Sequence, residues 1–222
     1  MDDIPPRSTT VECVVLDIDG VLIDSWRSIE ASFVQACISM GIQHHGLVGT
    51  FKGSIGKPIR TIADEMGLPL GFVDVFDAVS MEKLELCSLF EGAESFLRAL
   101  RTRGYKLAAN TGRSRRKADA LLHTFDLAEY FDAIVTSDDV DFGKPHPESL
   151  ERVCADLCCR TTGALFVGDT VNDVMCAKNA GTHSMAATWG FGDAKELVEL
   201  EPTYVAASLE EALRLIEAEQ AV

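Results

Sequence analysis

The segment VVLDIDG at residues 14–20 runs a β-branched apolar stretch directly into two carboxylates separated by a single isoleucine. Residues 11–16 are short, β-rich and apolar on both faces, the pattern of a central strand in a parallel sheet with helices on either side. Comparable runs recur at 106–110, 133–136, 164–167 and 183–187, with amphipathic stretches between them. Residues 114–125 place Ala118, Leu121, Leu122 and Phe125 on one helical stripe, and residues 91–102 do the same with Phe96, Leu97 and Leu100 before Gly104 stops the helix. Pro147 opens a helix over 147–157, and Ser208 with Glu211 has capping-box spacing ahead of Leu213 and Ile216. Strands alternating with helices in this way predict an α/β fold built on a doubly wound parallel sheet.

The alternation fails between about residues 23 and 90. Three helices are predicted there, at 26–40, 57–66 and 70–87, with no convincing strand between them and seven glycines, at 41, 46, 49, 53, 56, 67 and 71, dividing them. The chain of 222 residues is long enough for one core plus an insert. The expected division is a core of residues 1–22 and 91–222 and a small helical unit, residues 23–90, inserted after the first strand.

A formal charge of −15 opposes binding to phosphate backbones and to anionic lipid surfaces, so neither nucleic acid nor membrane is expected as a partner. The densest basic stretch, Arg113, Arg115, Arg116 and Lys117, reads as the solvated start of a helix. The first ten residues, MDDIPPRSTT, are acidic and polar, and no run of about 18 apolar residues follows, which predicts a cytoplasmic protein. The seven cysteines show neither CxxC nor Cys/His metal spacing and read mostly as reduced, small core residues; the adjacent Cys158 and Cys159 fit packing at a helix end better than the alternative, a redox-active pair.

In open α/β sheets ligands collect at the carboxyl ends of the strands. Four polar sets stand at such ends: Asp17-Ile18-Asp19-Gly20, Asn110-Thr111-Gly112, Gly143-Lys144-Pro145, and Gly168-Asp169-Thr170-Val171-Asn172-Asp173. Asp17 and Asp19 leave an extended strand end on the same side, and Gly20 permits a sharp turn afterwards. Asp169 and Asp173 remain neighbours if a helix begins near Asn172. Carboxylates gathered like this repel one another, and burial raises their pKa values unless a cation is present. An all-oxygen donor set selects a hard ion, so Mg²⁺ is the expected cofactor, with Lys144 as a second positive charge. The combination suits phosphoryl transfer, in which an aspartate can itself be the nucleophile.

These sets resemble, in order, the four motifs of the haloacid dehalogenase-like hydrolases: DIDGVL the first, Thr111 in ANTGR the second, Lys144 in GKPHPE the third and GDTVND the fourth. The resemblance spans essentially the whole chain. It implies that Asp17 attacks phosphorus and that Asp19 protonates the leaving alkoxide and then activates water. It implies further that Mg²⁺ is held by Asp17, the Asp19 backbone carbonyl and Asp169, with Asp173 in support. Thr111 and Lys144 would bind phosphoryl oxygens, backbone N–H groups around Gly20 and Gly112 would contribute, and Asn110 would be structural support. Dehalogenation is set aside, because the dehalogenases that the first motif resembles lack the second aspartate.

The insert resembles the small helical cap of the phosphoglycolate phosphatase and β-phosphoglucomutase branch, which closes over the site. The stretch GSIGKPIRTIADEMG looks like the cap segment of phosphoglycolate phosphatases and offers Lys57 and Arg60, the latter the stronger candidate, to a substrate carboxylate or sugar hydroxyl. For each of the two, a surface position opposite Ile59, Ile62 and Ala63 is an equal alternative. The activity implied is Mg²⁺-dependent hydrolysis of a small phosphorylated metabolite, phosphoglycolate-like or another phosphomonoester, through an aspartyl phosphate. A phosphomutase of the β-phosphoglucomutase type is the alternative. A receiver domain would need only about half this length and no cap, and the wider cap pattern of phosphonoacetaldehyde hydrolases, with Lys52 or Lys57 as Schiff-base lysine, is missing. His44 and His45 read as solvated loop residues, His146 as a cap for the next helix or a support for its loop, and Trp26 as packing ahead of a place in the pocket beneath the cap. Asp138, Asp139 and Asp141 read as a solvated run able to orient the Lys144 loop.

Overall fold

The computed structural model describes residues 11–219, so the segment MDDIPPRSTT lies outside the described residues. Strand β1 (Cys13–Leu16) is buried along its whole length. After β2 (Ile23–Asp24) the chain runs through four helices, α1 (Trp26–Ser39), α2 (Val48–Gly53), α3 (Ile59–Glu65) and α4 (Phe72–Glu82), and returns through β3 (Ser88–Leu89). From there helix and strand alternate: α5 (Ala93–Thr102), β4 (Lys106–Asn110), α6 (Arg115–Thr124), β5 (Ala133–Val135), α7 (Glu148–Asp156), β6 (Ala164–Gly168), α8 (Val171–Ala180) and β7 (His183–Ala187). The chain closes with α9 (Ala194–Glu199), β8 (Tyr204–Ala206) and α10 (Leu209–Glu219). No helix among the described residues is long and apolar enough to cross a membrane.

Six strands lie in the order β5-β4-β1-β6-β7-β8, every neighbouring pair parallel. The pleat sends Val14 and Leu16 into a core completed by Phe96 and Leu100 of α5, Leu121 of α6 and Ile216 of α10. Cys13 and Val15 face the other way, against Leu150 and Val153 of α7 and Cys176 of α8. A strand apolar on both faces is therefore covered on both, as its composition requires. The chain first builds outward from β1 through β4 and β5 and then crosses to β6 on the opposite side, which makes the end of β1 the switch point where such sheets take ligands.

Helix boundaries follow local chemistry. Thr170 Oγ1 accepts from the Asp173 N–H while the Asp173 carboxylate accepts from the Thr170 N–H, a reciprocal cap that starts α8; Gly181 ends the helix at φ +68°. At α10, Ser208 Oγ accepts from the Glu211 N–H, but the Glu211 carboxylate reaches the Ala207 N–H rather than that of Ser208. Gly104, at φ +82°, turns the chain from α5 into β4.

The helical stretch departs from expectation in detail. The predicted helix over 70–87 ends at Glu82 and passes into a single 3₁₀ turn at Leu84–Leu86, and α2 rises from the glycine-rich stretch where no helix is expected. These helices own a core: the Phe33 and Phe51 rings stack 4.0 Å apart, Phe72 meets Phe33 edge-on, and Ile62 and Phe76 close the cluster. Their entry and exit are tied side by side, since Ile23 pairs with Leu89 and Asp24 with Ser88 in an antiparallel ribbon. The His44 and His45 rings face each other in the loop before α2, and Trp26 packs near Phe191 with the Lys52 ammonium over its ring.

Candidate active site

Because Leu16 and Val167 are register partners, β1 and β6 deliver Asp17 and Asp169 to the same end of the sheet. One oxygen of the buried Asp17 carboxylate accepts from the Ile18 N–H at 2.7 Å and the other from Lys144 Nζ at 2.8 Å. Lys144 also donates to Asp173 Oδ1 at 2.6 Å and to the Asn110 carbonyl at 3.4 Å, so one ammonium gathers the ends of β1 and β4 and the start of α8. Asn110 is supporting structure, its side-chain amide donating to Ser149 Oγ. The second Asp173 oxygen accepts from the Thr170 N–H and hydroxyl.

Asp17, Asp169 and Asp173 each place an oxygen within 4.8 Å of the others. Asp169 is fully buried; its Oδ2 accepts from the Phe191 N–H at 2.7 Å, whereas its Oδ1 has no hydrogen-bond partner. A bare carboxylate oxygen out of water is costly, and a hard divalent cation removes that cost. The donor set contains only oxygen, the kind such an ion takes, so the residues present fit one. Glycine is required at three places around Asp169, Gly192 meeting its carbonyl oxygen and the other two its side chain. A Cβ on Gly20, which sits at φ +77°, or on Gly190 would collide with the carboxylate. The Asp19 carboxylate lies outside the group of three.

Asp19 faces Arg113. The guanidinium donates through Nε and Nη2 to the two Asp19 oxygens, each at 2.7 Å, and the Ser25 hydroxyl donates to Oδ1. The basic stretch is thus a solvated helix start only in part: Arg116 is exposed and Arg115 half-buried, but Arg113 is 9% exposed and Lys117 5%. The first turn of α6 leaves the sheet beneath the helical layer, and each buried cation has its own carboxylate, Asp19 for Arg113 and Asp77 of α4 for Lys117, the latter at 2.5 Å. Sequence reasoning missed both roles, since a charge run looks the same whether it meets water or acids from distant elements. Asp138 and Asp139 are likewise tied into structure: they accept from the Arg115 backbone N–H and guanidinium, bracing the start of α6 against the loop after β5. His146 Nδ1 accepts from the Glu148 N–H and so caps α7 as expected.

Burial raises the Asp17 carboxyl to about 7; Lys144 pulls it down, while Asp173 and Asp19 push it further up. Burial likewise takes Asp169 well above the ordinary range, with Asp173 and Asp17 adding to it. Burial opposes the charge on Lys144, but Asp17 and Asp173 outweigh it and hold the ammonium above its usual range. For Asp19 burial opposes ionisation, yet the Arg113 pair prevails and the carboxyl falls below its usual value. The raised aspartates favour the folded chain fully below about pH 4, the unfolded value, and that contribution is lost as pH rises towards about 7. Thermal unfolding with a chelator and with Mg²⁺ is therefore expected to show a larger Mg²⁺-induced rise in Tm at pH 8 than at pH 5; equal rises at both would remove these aspartates as the binding group.

The helical layer sits directly on this sheet end. Pro58 packs on Gly143, the Lys57 carbonyl lies over Gly112, and Gly56 approaches Thr170 so closely that no Cβ fits. Asn172 donates to the Ile55 carbonyl at 3.2 Å. The Gly-Lys-Pro of residues 56–58 thus rests on three strand-end loops at once, through Thr170, Gly112 and Gly143. Between layer and sheet runs a cleft lined on its polar side by Asp17, Asp19, Asp169, Arg113, Lys117 and Lys57, and on its apolar side by Ile29, Phe51, Ile55, Ile59, Ile62 and Phe76. Lys57 lines it while its ammonium pairs with Glu65 at 2.7 Å. Arg60 does not: it is exposed and lines a separate groove with Ser137, Asp138 and Gly143, because it lies one residue past Ile59 on the outer side of α3. Thr111 is buried beside Lys144, its hydroxyl accepting from the Arg113 N–H, and Gly112 lines the cleft.

A family model described as haloacid dehalogenase-like hydrolase matches residues 14–187. The chain is similar to the pyrophosphatase PpaX of Bacillus velezensis, with 30% identity over 219 residues that cover 92% of this chain and 96% of the relative. It is also similar to the phosphoglycolate phosphatase of Nitrosospira multiformis, with 26% identity over 219 residues, 93% of this chain and 96% of the relative. A haloacid dehalogenase-like family hydrolase from Streptococcus pneumoniae shares the fold, with a TM-score of 0.81 over 93% of this chain and 99% of that one at 23% identity.

Proposed function

Because the chain belongs to the haloacid dehalogenase-like hydrolases, we propose that it is a Mg²⁺-dependent phosphatase of a small phosphomonoester, phosphoglycolate-like in carrying a second anionic group, acting through an aspartyl phosphate on Asp17. The observation that supports this reading most is the convergence of Asp17, the unpartnered Asp169 oxygen and Lys144 on one enclosed point. In this reading residues 1–22 and 91–222 form the catalytic core and residues 23–90 the cap.

Asp17 attacks phosphorus in line, and Lys144, Thr111 and the backbone N–H groups around Gly20 and Gly112 neutralise and orient the phosphoryl oxygens. A bound Mg²⁺, held by Asp17, Asp169 and the Asp19 carbonyl with Asp173 behind them, would supply further positive charge against those oxygens. Asp19 rests as a carboxylate clamped by Arg113, which suits the second half-reaction, where it takes a proton from water. Its acid role in the first requires it to gain a proton, and an anionic group on the substrate that draws Arg113 away favours that gain. Arg113, Lys117 and Lys57 all line the cleft beyond Asp17, each paired with a carboxylate of its own, Asp19, Asp77 and Glu65; a charged leaving group would bind there by exchanging with one of those partners.

The deciding experiment measures phosphate release from phosphoglycolate, pyrophosphate, sugar phosphates and p-nitrophenyl phosphate, with Mg²⁺ and with a chelator. Release is expected with Mg²⁺ only and to be fastest for an anionic leaving group. A sugar phosphate that isomerises without releasing phosphate would establish a mutase instead. Within this reading Lys117→Met is expected to raise KM for phosphoglycolate about tenfold and to leave turnover of p-nitrophenyl phosphate within about twofold; equal effects on both substrates would remove Lys117 from leaving-group recognition.

A further inference from the structure

At the opposite end of the sheet, Cys13 of β1 and Cys159, three residues past α7, bring their Sγ atoms to 2.7 Å from each other. That is within about 0.7 Å of the length of a disulfide bond. The surrounding backbone is fixed on both sides. The Glu12 N–H donates to the Gly163 carbonyl at 2.7 Å, Arg160 pairs with the Glu12 carboxylate at 2.7 Å, Cys13 is the register partner of Ala164, and the Cys159 N–H donates to the Cys154 carbonyl. Glu12 and Arg160 thus attract through charge while their chain neighbours, Cys13 and Cys159, meet through sulfur. Cys13 is fully buried, Cys159 only partly. Two further thiols stand nearby, Cys154 in the same apolar cluster and the exposed Cys158.

We propose that Cys13 and Cys159 are an oxidative modification site, a thiol pair that hydrogen peroxide converts to an intramolecular disulfide. The Cys159 sulfur attacks one peroxide oxygen; the O–O bond breaks, one water leaves, and Cys159 becomes a sulfenic acid. The Cys13 sulfur then attacks the Cys159 sulfur; the S–S bond forms as the S–O bond breaks, and the hydroxyl departs with the Cys13 proton as a second water. Two thiols and one peroxide give one disulfide and two waters. Cys159 is the point of entry because it alone of the pair reaches the surface; burial pushes the Cys13 thiol well above its usual value and, with Cys159 beside it, the Cys154 thiol up to about 12, which leaves both unreactive on their own. Cys13 stands four residues before Asp17, about 13 Å along an extended strand, so the reaction leaves the carboxylate cluster untouched. The cross-link ties positions 146 residues apart in sequence, so it constrains the unfolded chain and stabilises the folded one rather than blocking the site.

The test treats the reduced full-length protein with a small excess of hydrogen peroxide and follows free thiols, non-reducing peptide maps and Tm. The expected result is a loss of two thiols per chain, a linked peptide pair containing Cys13 and Cys159, reversal by reductant, and a rise in Tm of at least about 3 °C. Cys159→Ser is expected to abolish the linkage, and Cys158→Ser to preserve it. An unchanged thiol count, a linkage through Cys154 or Cys158, or dimers joined by disulfide would overturn the assignment. The wild-type map decides the matter even if a variant fails to fold.

Discussion

Asp17→Asn is expected to lower Mg²⁺-dependent phosphate release by at least about 10⁴-fold, since the amide keeps the shape of the carboxylate but cannot form the phosphoryl ester. A fall in activity alone would not separate chemistry from damage to the fold. The site makes a second, opposite expectation for stability. Asp17 is one of three mutually repelling buried carboxylates, so removing its charge should leave Tm in chelator unchanged or higher. Wild-type turnover in this variant would eliminate Asp17 as the nucleophile, whereas lost activity with a collapsed Tm would show only that the fold was harmed.

Lys144→Met is the complementary case. Its ammonium is the shared partner of Asp17 and Asp173, all three nearly out of water. Methionine keeps most of the volume and removes the charge, leaving acids to be protonated or to repel. The expected cost is about 3 kcal/mol of stability in chelator, the range for breaking a buried ion pair from one side. Activity is expected to fall by about 10² to 10³-fold through loss of charge stabilisation at the phosphoryl oxygens. Added Mg²⁺ should restore part of the lost Tm but little of the activity, because an ion held by the aspartates would offset their charge without replacing the Lys144 donor. Denaturant titration with and without Mg²⁺ checks the first statement and saturating-substrate kinetics the second; full recovery of turnover by Mg²⁺ would reduce Lys144 to a placeholder for the ion.

The sheet was legible because its signal is carried by composition over several residues. A strand apolar on both faces, repeated and separated by amphipathic stretches, has few other arrangements, and β1, β4, β6 and β7 lie within one or two residues of expectation. Strand β8 was not legible: it is three residues at the sheet edge, two of them not buried, with no apolar run to announce it. Within the site, acids at strand ends were readable because type and spacing both mattered. Gly190 and the Phe191 N–H, which hold Asp169, were not, as a backbone donor leaves no mark in side-chain chemistry. Arg113 and Lys117 were read as surface charges because their partners, Asp19 and Asp77, are 94 and 40 residues away in the chain. For Arg60 the helical period does not say which edge of α3 meets the cleft, and Lys57 lies before that helix, in the loop, where no period applies.

The paired strands at Ile23–Asp24 and Leu89–Ser88 put both crossings of the chain at one doorway, while the helices beyond it have their own cluster of phenylalanines. A unit joined at one doorway and internally supported can be exchanged whole. Grafting residues 26–87 from another member of the family should transplant its taste in leaving groups onto the same phosphorus-handling floor, provided the glycine and proline contacts at residues 56–58 and a carboxylate at position 77 for Lys117 travel with it. Diversification of such a protein would then proceed by replacing its ceiling rather than by revising its chemistry.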